Sequence, residues 1–151
     1  MARLDDLSRL LDEKGLDAAI FIDKANIFYF SGTEYADALV VPSGGERPIL
    51  LVTYGFGDFE ALSEARGCEV RVYRPVYRAG AYRFKKTVDR ILEVLRELKL
   101  ERRKIAVCKE HVSQSFYGEL VRKTRLKVED LTEEVYRLRM VKTEDEIKNI
   151  E

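Results

Sequence analysis

His111 is the only imidazole in the chain. A Ser-His-Asp or Cys-His nucleophilic site needs such a ring beside a hydroxyl or thiol. The surrounding KEHVSQSF sets it in a strand-to-helix connection, where a solvated or capping histidine is the commoner case. Gly55-Phe56-Gly57 follows a strand-like run and opens a helix-like one, where a dinucleotide site would carry its glycines. The third glycine position of that pattern is Glu60, an acid where pyrophosphate would approach, and Glu69 to Tyr73 ends in Arg74-Pro75 without a ribose-binding acid. A plain helix start is expected there. The acid pairs Asp5-Asp6, Asp12-Glu13, Glu129-Asp130 and Glu133-Glu134 are adjacent, so on a helix they diverge by about 100° and do not share a site. Cys68 and Cys108 lie 40 positions apart with no C-x-x-C pattern and no histidine spaced to join them. Free buried thiols are expected in place of a zinc site or a disulfide framework.

From Tyr73 to Lys86 the string YRPVYRAGAYRFKK interleaves aromatic with basic side chains, a composition able to hold phosphates and stack bases. Asp89, Glu93 and Glu97 follow it and return that face toward neutrality. An interface or loop role is therefore expected ahead of nucleic-acid binding.

The elements that would position these residues alternate along the chain. Leu4, Leu7, Leu10 and Leu11 recur at helical spacing before Gly15, so Ala2 to Lys14 reads as an amphipathic helix. Ala18 to Ile22 is too short for a helix and apolar on both faces, which suits a buried strand. Asp37 to Val41 and Ile49 to Val52 flank PSGGERP and read as an antiparallel hairpin. The pattern then predicts a helix over Tyr54 to Ala65, a strand over Glu69 to Tyr73 and a helix over Arg83 to Leu98. A strand over Lys104 to Cys108, a helix over Ser115 to Thr124, a strand over Lys127 to Leu131 and a helix over Thr132 to Met140 complete it. Alternating strands and helices with one hairpin predict an α/β fold, a mixed sheet covered on both faces.

With 151 residues, 46% hydrophobic and 36% charged, the chain is one domain's worth. Folding at this length removes roughly 68–70% of the unfolded surface from water, enough for a core without staples. No stretch approaches the roughly 20 apolar residues that span a bilayer, and residues 1–14 carry acids where a signal peptide needs a basic start. A cytoplasmic protein with no membrane partner is expected. High Lys, Arg and Glu content with one Gln and two Asn leans toward a thermophilic source. Net charge is zero, but residues 1–70 hold six basic and thirteen acidic side chains, a net of −7, leaving +7 for residues 71–151. So polar a molecule could pair with a copy of itself or with another domain.

Thr143-Glu144-Asp145-Glu146 has the form of a capping box, with acids at the positive end of a helix dipole. Only about two helical turns follow before Glu151, too few to be stable without a neighbour. Residues 1–140 are expected to form the domain, and residues 141–151 to begin a linker helix.

The terminal string LRMVKTEDEIKNIE, Leu138 to Glu151, resembles the junction between the two domains of the prolidase, aminopeptidase P and creatinase family. There an arginine, an apolar pair, a lysine, a Ser/Thr cap and Glu-Ile lead into the catalytic domain. LSRLLDEKGLDAAIF, followed by NIFYFSGT, resembles the family's opening helix, first strand, Asn-containing turn and following loop. KIAVCKEHVSQSFYGEL and VEDLTEEVYRLRMVK are similar to its second half.

The resemblance implies a creatinase/prolidase-type N-terminal domain, a three-layer α/β/α fold of ribonuclease H-like type. It implies that the parent binds two divalent metal ions in a C-terminal pita-bread domain, through motifs that are not in this sequence. Hydroxide generation and carbonyl polarisation need those metals, so no catalytic or metal-ligating residue is expected here and the chain alone should be inactive. The resemblance also implies homodimerisation, contact with the parent's catalytic domain, and roofing of the partner's active site over short proline-containing peptides. The residues matching the roofing loop follow Gly32: Thr33, Glu34, Tyr35 and Asp37, with a plain turn into the next strand as the alternative. A stand-alone protein- or nucleic-acid-binding module of the same fold is the competing function.

Overall fold

Leu4, Leu7 and Leu11 share one face of the first helix and are buried, the outcome that 3.6-residue periodicity dictates once a sheet lies beneath. A computed structural model describes residues 2–83, 85–100, 104–124 and 128–140. Its first elements are α1 (Ala2–Lys14), β1 (Ala18–Phe21), α2 (Lys24–Ser31), β2 (Ala38–Pro42), β3 (Ile49–Thr53) and α3 (Asp58–Glu64). β4 (Glu69–Tyr73), β5 (Val76–Arg78), β6 (Ala81–Arg83), α4 (Thr87–Glu97) and β7 (Ile105–Val107) follow. A single 3₁₀ turn (Lys109–His111), α5 (Gln114–Thr124), β8 (Val128–Asp130) and α6 (Thr132–Met140) complete the series.

The main sheet has six strands in the order β4-β3-β2-β1-β7-β8. β2 is antiparallel to both its neighbours, and the other pairings are parallel. Period-2 alternation sends the strand residues to two cores. Ala19, Phe21, Leu39, Val41, Leu50 and Val52 pack with Leu7 and Leu11 of α1, Ile27 and Phe30 of α2, Ala61 of α3 and Val135 of α6. Ile20, Val40, Ile49 and Leu51 pack on the opposite face with Val88, Ile91, Leu92 and Leu95 of α4 and Leu120 of α5. Each fully buried Leu, Ile or Phe contributes about 1.5–3 kcal/mol over leaving it exposed. The result is the mixed-sheet α/β/α sandwich that the pattern predicts.

Three segments depart from the sequence expectation. The Asn-containing turn after β1 is helix α2, capped by Asp23, whose carboxylate accepts from the Asn26 amide at 3.0 Å. The helix expected from Tyr54 begins only at Asp58, because Gly55 and Gly57 take φ of +83° and +93°. The helix expected from Arg83 begins at Thr87, since Arg83 pairs with Val76 in the β5–β6 hairpin. The capping box at Thr143 to Glu146 and the junction at residues 141–151 lie outside the described residues.

Candidate functional site

Parallel strands deliver their carboxyl ends to one edge of the sheet, where α/β folds of this kind open a crevice. Thr53 ends β3 and Tyr73 ends β4. β2 runs the other way, so Asp37, just before it, starts at the same edge, its amide donating to the Leu51 carbonyl at 2.8 Å. Thr53 Oγ1 donates to Asp37 Oδ2 at 2.5 Å, and having given its proton it accepts from Arg90 Nη1 at 2.9 Å. Arg90 Nη1 also donates to Asp37 Oδ2 at 3.2 Å. The Arg90 side chain comes from the first turns of α4, and its Cζ stands 4.9 Å from the centre of the Tyr73 ring. It is 3% exposed, against 37% for Asp37. Removing Asp37 would leave the buried Arg90 charge with only Thr53 to accept from it, a costly outcome, whereas solvent screens the half-exposed Asp37 if Arg90 is lost. The triad therefore locks β2, β3 and α4 together below an open rim.

Two adjoining clefts open above the triad, and Asp37, Thr53 and Phe56 line both. One, of about 420 Å³, adds Lys85, Lys86, Thr87 and Arg90. The other, of about 400 Å³, adds Lys24, Glu34, Tyr35, Ala36, Gly57 and Glu60. Of the expected loop residues, Glu34, Tyr35 and Asp37 thus share one cleft. Thr33 does not join them: it is fully buried, and its hydroxyl accepts from the Tyr35 amide at 3.2 Å. Its work is to shape the turn that presents Tyr35. The Tyr35 side chain packs against Gly57, where an added Cβ would stand 2.5 Å from ring atom Cδ1, so the two loops fit only with glycine at that position.

Arg90, Thr53 and Lys24 were not legible as site residues. Arg90 carries one sequence signal, a charge inside the apolar face of α4, Thr53 and Lys24 carry none, and nothing along the chain says that Asp37 would meet Arg90.

The remaining candidates resolve into structural roles. His111 Nε2 lies 2.6 Å from the Tyr136 hydroxyl, bridging the 3₁₀ turn to α6. Both cysteines are free and buried. Burial pushes the Cys68 thiol up to about 11. Burial, reinforced by the acids Asp23, Asp130 and Glu134, pushes Cys108 up to about 12, so neither is a thiolate nucleophile near neutral pH. Among the described residues no three His, Cys, Asp or Glu side chains converge to hold a metal ion, and none of the helices described is long and apolar enough to cross a membrane. Among the described residues the donors do not fit a two-metal centre. Tyr73 to Lys86 forms the β5–β6 hairpin and its flanks, with Val76 and Tyr77 exposed. Lys85 pairs with Glu93, and Lys86 lies 3.6 Å from Glu119, the return toward neutrality that the sequence suggests.

Residues 3–141 match the Creatinase/Prolidase N-terminal domain. The chain belongs to that family. No curated protein is significantly similar to it. Among solved structures, an X-Pro aminopeptidase from Thermotoga maritima superposes with a TM-score of 0.77 at 24% identity, over 96% of this chain and 38% of that one. An Xaa-Pro dipeptidase from Bacillus anthracis gives 0.78 at 19%, over 98% and 38%. The Creatinase/Prolidase N-terminal domain of an X-Pro dipeptidase from Streptococcus pyogenes gives 0.69 at 23%, over 89% and 97%. This chain thus spans 38% of the length of the first two relatives, and the likeness establishes their shared fold.

Proposed function

We propose that this chain is the non-catalytic N-terminal domain of a metal-dependent Xaa-Pro peptidase of prolidase or aminopeptidase P type, serving dimerisation and roofing of the partner subunit's active site. The metals, two divalent ions, would belong to the catalytic domain of the parent. The observation that carries the reading is the placement of Glu34, Tyr35 and Asp37 along one open cleft beside an apolar stripe. Phe56, Phe59 and Leu62 recur every three residues into α3 and are 70%, 78% and 56% exposed. Such a stripe is expected to be covered by protein, and a copy that covers it brings a catalytic site near the Tyr35 rim. The same stripe favours one second reading, a stand-alone protein-binding module.

Kinetics of the parent separate the two. Tyr35→Ala should raise KM for short Xaa-Pro peptides about 5- to 30-fold, more than it lowers kcat, because a roof residue binds ground state and transition state alike. That range corresponds to an aromatic contact of about 1–2 kcal/mol. Unchanged kinetics with a lowered Tm would assign Tyr35 to packing against Gly57. A parent gene product without a second domain would favour the binding module.

A further inference from the structure

The larger cleft has a chemistry that the roofing role does not use. Its floor is the start of α4, an eleven-residue helix whose N-cap, Lys86, is extended and makes no side-chain capping bond. The first amides of a helix have no intrahelical acceptors and carry the positive end of its dipole. The cleft's wall is Arg90, which sits one turn further along and points back toward that terminus, as helical side chains do. Its guanidinium reaches the cleft between Asp37 and Thr53, both lining residues. Only one edge of the fork is engaged there: Arg90 Nε is buried and finds no acceptor among the described residues. A buried N–H of a charged group without a partner is a costly arrangement. Arg90 lines the cleft, so the unpaired N–H belongs to a side chain that an incoming acceptor would meet.

We propose that this cleft is an oxyanion-binding site, in which a carboxylate or phosphate group is held by Lys86, the first-turn amides of α4 and Arg90. The opposing charges are already engaged. Asp37 accepts from Thr53 and Arg90, Glu93 pairs with Lys85, and Asp89 accepts from Lys123 at 2.6 Å. Thr87, at the first helical position, adds a hydroxyl to the lining. Phe56 closes one side, so the group bound would carry a small apolar body. Glu119, 3.6 Å from Lys86, is an acid the anion must displace. This site stands whether or not the chain roofs a peptidase.

Amide NMR of the 151-residue chain, titrated with inorganic phosphate and separately with N-acetylglycine, tests the proposal at constant ionic strength set with chloride. Saturable shifts centred on Thr87, Val88 and Asp89 are expected, and the tighter-binding probe identifies the group. Lys86→Gln, an exposed change, should weaken that probe about 3- to 10-fold, and Arg90→Lys, which keeps the charge and loses the fork, at least about tenfold. Amide dispersion of each variant reports that it is folded, so Lys86→Gln decides the matter if Arg90→Lys does not fold. Shifts that fail to saturate by about 50 mM of either probe, or an affinity unmoved by Lys86→Gln, would overturn it.

Discussion

Gly57 is a residue whose identity the fold dictates twice. Its φ of +93° lies where an L side chain is strained, and the ring of Tyr35 fills the space a Cβ would need. Gly57→Ala should cost about 1–3 kcal/mol, the sum of a left-handed penalty and displacement of a ring that is already partly exposed. Thermal unfolding would register this as a Tm lowered by about 3–10 °C at this chain length. In a Tyr35→Ala background the penalty should shrink toward about 1 kcal/mol, the backbone part alone; an equal cost in both backgrounds would mean that the ring is not the obstacle. At this scale the sequence was half legible. Glu34, Tyr35 and Asp37 could be singled out because they follow Gly32 in a loop of recognisable form. Arg90 could not, because a cation among Val88, Ile91 and Leu92 announces a partner without naming it, and Asp37 and Thr53 arrive through the strand order alone.

Elements with a period were legible, and those without one were not. Glu69–Tyr73 and Thr132–Met140 fall where alternation and helical spacing predict them. α2 buries the polar Asn26 and Ser31 beside Ile27 and Phe30 while leaving Phe28 exposed, so no apolar stripe marks it as a helix. The β5–β6 hairpin turns at Ala79-Gly80, with φ of 51° and 79°; alanine in that position lacks the Asn-Gly or Asp-Gly signature of such turns. The junction of β8 with α6 offers an element-scale test. Asp130 Oδ1 accepts from the Thr132 hydroxyl at 2.6 Å and from the Lys109 and Thr132 amides at 3.0 Å. Burial raises the Asp130 pKa, but the bonds from Thr132 and Lys109 outweigh it and hold the carboxyl below the usual aspartate range. A depressed folded pKa contributes stability that is complete above the unfolded value of about 3.9 and is lost as pH falls through the folded value. Asp130→Asn should therefore cost about 1 kcal/mol near pH 6, a modest figure because solvent screens an exposed carboxylate. Urea unfolding of both proteins at pH 6 and again near pH 2.5 should show that difference closing; a constant gap would assign it to lost geometry rather than lost charge.

Across the whole molecule, alternation of strands and helices was enough to give the mixed sheet and its two covered faces, because each strand's two sets of side chains must both find a core. The separation of charge was also legible, but where it lands in space was not. Residues 71–86 contain six Arg and Lys and no Asp or Glu, and the fold gathers most of them on the β5–β6 hairpin and its flanks. Residues 1–70, with their excess of acid, supply α1, α2, α3 and the first three strands. Internal pairing of the two halves occurs at Arg90–Asp37, while Arg78 on the hairpin is exposed. A two-stranded hairpin is marginal by itself in water and gains from lying on a surface of opposite charge. The excess acid of residues 1–70 on a second copy would offer such a surface. Self-association should then weaken as salt rises from about 0.05 M to about 0.5 M, where the Debye length falls to a few Å. Arg78→Glu should weaken it at low salt and flatten its salt dependence. Sedimentation of both proteins at the two ionic strengths reads this directly. A dimer indifferent to salt would move the interface to the Phe56, Phe59 and Leu62 stripe, whose burial does not depend on screening, and a monomer throughout would mean that the charge separation serves a different domain.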